Sequence, residues 1–172
     1  METIPLVTEA QRERQLRRSS SRLPELWALL DAVSDPEIPV VSLWDLGILQ
    51  DIKADEDKLT VEITPTYSGC PAMAEIAVEI EKALAATDYR EVEVVSLLTP
   101  TWTTDFMSSQ GREKLREYGI APPAPKSLAE KISCPQCRSE EVELISEFGS
   151  TACKALYRCS DCLEPFDYFK CI

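Results

Sequence analysis

Four cysteines near the end of the chain fall into two pairs, Cys134–Cys137 and Cys159–Cys162, each pair separated by two residues and the pairs by 21. Two thiolates presented by one tight turn and two by another complete a tetrahedral four-sulfur site, and zinc is its usual occupant. Rubredoxin-like iron or an iron–sulfur cluster uses the same ligands. The segment that carries them is roughly 40 residues long, too small to be stable without a staple. Four thiolates fill the coordination shell, so this site is expected to hold the fold and do no chemistry. Cys153 and Cys171 lie in the same segment beside aromatic residues. Each reads either as a buried, inert thiol or as part of a second metal-related or redox function.

The remaining cysteine stands alone. Cys70 lies in Thr64-Pro-Thr66-Tyr-Ser-Gly69-Cys70-Pro71, between a strand-like and a helix-like run. The chain has no histidine to activate it. The start of a helix can do so instead, because its free amides and dipole stabilise a thiolate, which predicts an exposed thiol with a lowered pKa. Gly69 lets the backbone approach closely. The alternative is a small, buried capping residue. Upstream, residues 34–45 form a loop too long for a simple connector, and it supplies three carboxylates, Asp35, Glu37 and Asp45.

These residues need elements to position them. Leu26, Leu29, Leu30 and Val33 recur at helical spacing behind Pro24, and Pro36 and Pro39 must end that helix. Residues 46–55 and 57–65 read as strands, the second alternating Leu59, Val61 and Ile63, with an acidic hairpin turn between them. Met73, Ile76, Ala77, Ile80 and Leu84 make one apolar stripe. Residues 91–100 read as a third strand, and a last short helix follows, capped by Thr104 or Asp105. The fold class is therefore α+β: a small two-layer α-β-β-α-β-α domain over 23–119, with helices on one face of a three-stranded sheet. A zinc-ribbon β-hairpin module follows over 130–172. The proline-rich stretch 120–129 between them reads as a semi-rigid linker and predicts separable parts. Residues 1–22, with five Arg against three Glu, read as a flexible basic arm, solvated or partner-docking.

The formal net charge is −12, with the acidic excess in 23–125. An acidic body repels phosphate backbones, so no nucleic-acid partner is expected. No apolar run approaches the roughly 20 residues that span a bilayer, and residues 1–22 hold no apolar signal core, so a cytoplasmic protein without membrane contact is expected. In that reducing compartment, clustered cysteines favour metal over disulfides.

The stretch from Asp35-Pro36-Glu37 through Asp45-Leu46-Gly47, followed by Thr64, Thr66 and Gly69-Cys70-Pro71, resembles the SufT-like domain of iron–sulfur assembly factors over about 23–119. The cysteine-rich tail resembles that of one branch, the PaaD (PaaJ) type of bacterial phenylacetate catabolism. Pro39 and Val40 stand where many general assembly factors have a glycine and a small polar residue, in agreement with that branch. The resemblance implies a non-catalytic maturation factor, or alternatively a structural subunit, for the multicomponent phenylacetyl-CoA epoxidase. Its partners would be that enzyme's reductase and oxygenase components. Its cofactors would be structural zinc on Cys134, Cys137, Cys159 and Cys162, and a transient iron–sulfur cluster or iron. It carries Cys70 over as the metal–sulfur ligand or transfer thiol, with Asp35, Glu37, Thr64 and Gly69 as the supporting loops. One thiolate cannot complete a cluster site, so either a homodimer pairs two copies of Cys70 or other ligands join it.

Overall fold

A computed structural model of the chain describes residues 7–124 and 131–170. Strands β1 (Leu49–Asp55) and β2 (Lys58–Ile63) form an antiparallel hairpin, and β3 (Glu91–Ser96) adds to β2 in parallel, giving the order β1-β2-β3. A parallel neighbour demands a crossover, and α4 (Ala72–Leu84) supplies it. Leu59, Val61 and Ile63 alternate inward from β2, and Ile76, Ile80 and Leu84 of α4 are buried against them with Leu26, Trp27 and Leu30 of α2 (Pro24–Leu30). Lys53–Glu62 and the pairing of Lys58 with Glu91 and Glu93 join neighbouring strands through largely exposed side chains, in keeping with helices on one face. No helix among the described residues is long and apolar enough to cross a membrane.

The long acidic loop is compact. Ser34 bridges Ser42, and α3 (Leu43–Leu46) closes it, with Ser42 accepting from the Asp45 amide. Gly47 ends α3 at φ +84°, where a Cβ would lie 2.6 Å from the Cβ of Phe106, so the close approach as well as the left-handed turn requires glycine. The last helix, α5 (Ser109–Glu117), is capped by Ser108, neither by Thr104 nor by Asp105, which lie in a preceding 3-10 turn, Thr104–Phe106, capped by Thr103. Asp45 ties these pieces together. It accepts from Ser108 Oγ at 2.6 Å and from Lys114 Nζ at 2.8 Å.

Residues 9–20 are not a solvated arm. They form α1 (Glu9–Ser20), capped by Thr8, and its buried face is polar: Gln11 and Arg14. Arg14 is 2 % exposed and donates to the carbonyls of Phe106, of Trp44 at 3.0 Å and of Leu49 at 2.7 Å, while its guanidinium stacks 4.1 Å from the Trp44 ring centroid. Burial, and after it repulsion from Arg17, pulls its pKa down to about 9, so it stays charged at neutral pH. Arg18 forms a two-pronged pair with Asp31. Arg14→Ala strands three carbonyls, two buried and one partly buried, and should cost about 2–4 kcal/mol in urea unfolding, while exposed Arg12→Ala stays within about 0.5 kcal/mol. Equal costs would place α1 outside the cooperative unit.

The tail forms β5 (Val142–Ser146), β6 (Lys154–Cys159) and β7 (Pro165–Phe169), joined at its edge by β4 (Ile120–Ala121) in the order β4-β7-β6-β5. Ile120 and Ala121 therefore belong to the ribbon's sheet and not to a linker; half of the expected linker, 125–129, lies outside the described residues. The two parts also share a core. Phe169 and Cys153 are buried in the cluster of the first sheet, and Phe169 meets Trp102 edge to face at 5.8 Å. Shared burial replaces the separability expected from the prolines.

Candidate functional site

The two C-x2-C turns fold as near copies. Arg138 after the first and Leu163 after the second both adopt left-handed φ, +65° and +66°. Arg138 N–H donates to the Cys134 carbonyl and Leu163 N–H to that of Cys159. The four sulfurs lie within 4.8 Å of one another, with Cys134–Cys162 at 3.7 Å and Cys137–Cys159 at 3.5 Å. A tetrahedron with metal–sulfur bonds of about 2.3 Å needs sulfur–sulfur edges of about 3.8 Å, so the donor set fits a four-thiolate metal. The Cys162 amide, ahead of that of Asp161, draws the Cys159 thiol down to about 7 against the opposing effect of burial. Among the described residues, the buried cluster at the site is Ala121, Cys134, Cys159 and Phe166, so small a core that a bound metal would do much of its work.

Cys70 lies elsewhere, just ahead of α4, in a turn where its amide donates to the Tyr67 carbonyl and where Gly69 has φ +80°. It is half-buried, not exposed. It lines a closed crevice of about 10 Å³ with Asp35, Glu37, Thr66, Met73, Cys153 and Phe169 among others. The expected lowered pKa is reversed. Burial pushes the thiol up; the Ala72 amide at the helix start and the Tyr67 hydroxyl pull it down, but Glu37 and Asp35 add repulsion and the balance is upward. Tyr67 is itself pushed up to about 12, chiefly by burial and then by Cys70. The helix start does address the sulfur, and the carboxylates facing it cancel the benefit.

Asp35 is 6 % exposed, and one oxygen accepts from the amides of Glu37 and Ile38, each at 2.9 Å, so it shapes its loop as well as facing the crevice. Burial outweighs those bonds and raises its pKa. Thr64 is buried with its hydroxyl unpartnered and lines a separate open groove with Tyr67, Leu98 and Trp102; Thr66 reaches both that groove and the crevice. Asp45, the third loop carboxylate, is a structural anchor away from the crevice. Burial raises its pKa, but Lys114 and Ser108 outweigh burial and hold it low. A depressed folded pKa contributes stability above the unfolded value and loses it as pH falls through the folded one. The stability gap between wild type and Asp45→Asn should therefore narrow as the pH falls below about 4, as read from urea midpoints. A gap constant down to pH 2 would remove the ion pair from the account.

Cys153 is the residue sequence reasoning left ambiguous. It is 5 % exposed, with its sulfur 3.0 Å from Thr151 Oγ1 and 3.8 Å from Glu37 Oε2. Burial, before the repulsion of Glu37, raises its pKa. Its place beside Glu37 follows from the docking of the ribbon on the first sheet, which no local pattern announces. Cys171 lies outside the described residues.

Comparison with known proteins adds to this geometry. Residues 24–97 match a family described as "Iron-sulfur cluster assembly protein", and residues 121–170 one described as "PaaD zinc beta ribbon domain". The chain is 51 % identical over 152 residues, 86 % of its length and 92 % of the other's, to an Escherichia coli (strain K12) protein described as a "Putative 1,2-phenylacetyl-CoA epoxidase" subunit. It is 32 % identical over 78 residues, 44 % of its length and 88 % of the other's, to "Fe-S protein maturation auxiliary factor SufT" of Staphylococcus aureus (strain USA300). The crystal structure of a domain of unknown function (DUF59) from Bacillus anthracis superposes with a TM-score of 0.50 at 29 % identity, covering 60 % of this chain and 95 % of that one.

Proposed function

Since the chain belongs to the PaaD family, in which an iron–sulfur cluster assembly domain carries a C-terminal zinc ribbon, we propose that it serves phenylacetate catabolism as a maturation factor for a phenylacetyl-CoA epoxidase. The observation that carries this reading is the placement of Cys70 and two carboxylates around a crevice of about 10 Å³. A space of that size takes about one water and excludes an aromatic acyl-CoA, so the crevice suits handling of a metal better than oxygenation of the substrate. Cys70 acts as the metal–sulfur or transfer thiol, with Asp35 and Glu37 beside it and Thr64 and Gly69 shaping the adjoining turn. The ribbon's metal is zinc, held by Cys134, Cys137, Cys159 and Cys162 and structural in its effect. The cargo is an iron–sulfur cluster or its iron, and the partners are the reductase and oxygenase components.

The relative's description as part of the epoxidase itself favours a second reading, a stoichiometric subunit without catalysis of its own. The two separate cleanly. Epoxidase components are purified from cells lacking this chain, and the chain is then mixed in or co-expressed. Recovery on co-expression alone supports maturation; recovery on simple mixing supports the stoichiometric role.

A further inference from the structure

We propose that Cys153, contributed by the ribbon, is the second thiol of the Cys70 site, and that Cys70, Cys153 and Glu37 together hold a single thiophilic divalent cation, ferrous iron in chemical type. The inference rests on Cys70 being the working thiol of the maturation factor, and it specifies what that thiol works with.

Both cysteines line the same closed crevice, although one precedes a helix of the first domain and the other precedes a strand of the second. Cys153 is held there by its backbone, its carbonyl accepting from Lys170 N–H at 2.9 Å, and its sulfur lies 3.8 Å from the Glu37 carboxylate. On the other side, the Ala72 amide and Tyr67 hydroxyl orient the Cys70 sulfur, and Glu37 and Asp35 surround it with negative charge. Lys154 is the cation the structure records beside Asp35 and Cys153, and it is paired with Asp167 at 3.6 Å. Two soft donors with one hard donor select iron, cobalt or zinc over magnesium or calcium. With free space near 10 Å³, the crevice takes a lone ion with less rearrangement than a preassembled cluster.

Among the described residues, the ribbon cysteines are the set of three or more metal-binding donors already within 4.8 Å of one another. Binding of the ion therefore requires Cys70, Cys153 and Glu37 to draw closer together than they stand here. Two thiol protons leave to solvent, two sulfur–metal bonds form, and no electron changes hands. This gives Cys70 a partner within its own chain, where a homodimer would supply it from a second copy.

The test uses the full chain with its ribbon already loaded with one equivalent of zinc. Cobalt(II), then ferrous iron, is titrated in anaerobically, and bound metal and the thiolate-to-cobalt charge-transfer band are measured. Wild type should take one further equivalent with the intensity of two thiolates. Cys70→Ser and Cys153→Ser should each lose that equivalent while keeping the zinc. Glu37→Gln, on an accessible loop, should weaken it by about tenfold or more without disturbing the fold. Cys153→Ala serves as the second variant should serine unsettle the core. If both Cys153 variants bind as wild type does while Cys70→Ser does not, Cys153 is a packing residue and the maturation reading survives without it. In that case, dimers that form with the ion, seen by sedimentation, would assign the second thiol to another copy. If wild type takes no second equivalent the cation site is refuted, and co-expression with the epoxidase judges the maturation reading separately.

Discussion

Cys159→Ser should empty the ribbon of its metal and unfold residues 131–170, and the damage should spread into the first domain. Among the described residues, the ribbon's own buried cluster is two of the ligand cysteines, Cys134 and Cys159, with Ala121 and Phe166. Structural zinc supplies about 10–16 kcal/mol to comparable peptides near neutral pH, far more than so small an apolar core can replace. Phe169 and Cys153 leave the main cluster when the ribbon melts. Withdrawing a buried phenylalanine alone costs about 3–5 kcal/mol, a large part of a typical total of about 5–15 kcal/mol. Metal analysis should find near-complete zinc loss. Urea unfolding followed by tryptophan fluorescence should show a much lower midpoint, because Trp102 loses its contact with Phe169. A fragment ending at Ala121 should be weakened for the same reason. Full zinc retention by Cys159→Ser would refute the ligand set, and an unchanged midpoint would refute the shared core.

Cys70→Ser should behave in the opposite way, leaving the fold and zinc content intact while abolishing support of epoxidation in cells that co-express the enzyme. Serine replaces a half-buried sulfur at nearly the same size and still accepts from the Ala72 amide. What it lacks is a thiolate for a soft metal. The native thiol should also be sluggish toward alkylation. With its pKa raised above the ordinary 9.0, the thiolate fraction at pH 7 falls below that of an unfolded cysteine, and the rate should climb only as the pH rises through the shifted value. Alkylation rates from pH 7 to 10, on wild type and on Cys70→Ser, measure this. Fast labelling of Cys70 at pH 7 would overturn the burial argument. Full epoxidase activity with Cys70→Ser would leave Cys70 a structural residue and make the stoichiometric-partner reading the better one.

The sheet and its crossover helix were legible because burial there follows a period. Leu59, Val61 and Ile63 alternate, and Ile76, Ile80 and Leu84 recur each helical turn. The ribbon was legible because four ligands at fixed spacing carry their own geometry. Helix α1 was not, since the residues it buries are Gln11 and Arg14, and a search for apolar stripes passes over a guanidinium bonded to three carbonyls. The Cys70 thiol was legible in position but misjudged in character. Its helix start is local in sequence, whereas Glu37, Cys153 and Phe169, which surround it, arrive from distant segments. Sequence neighbours announced the pull on the thiol and concealed the push.

The last strand completing the first core also has a meaning for biosynthesis. A ribosome making about 5–20 residues per second delivers Phe169 several seconds after β3 has emerged. For that interval the nascent domain carries Trp102 uncovered and Cys70 without the ribbon that closes over it. If the ribbon folds only on capturing a metal, the crevice takes its final form after both C-x2-C turns have been made and filled, and a cell starved of zinc would accumulate chains whose first domain is translated but whose Cys70 stands open.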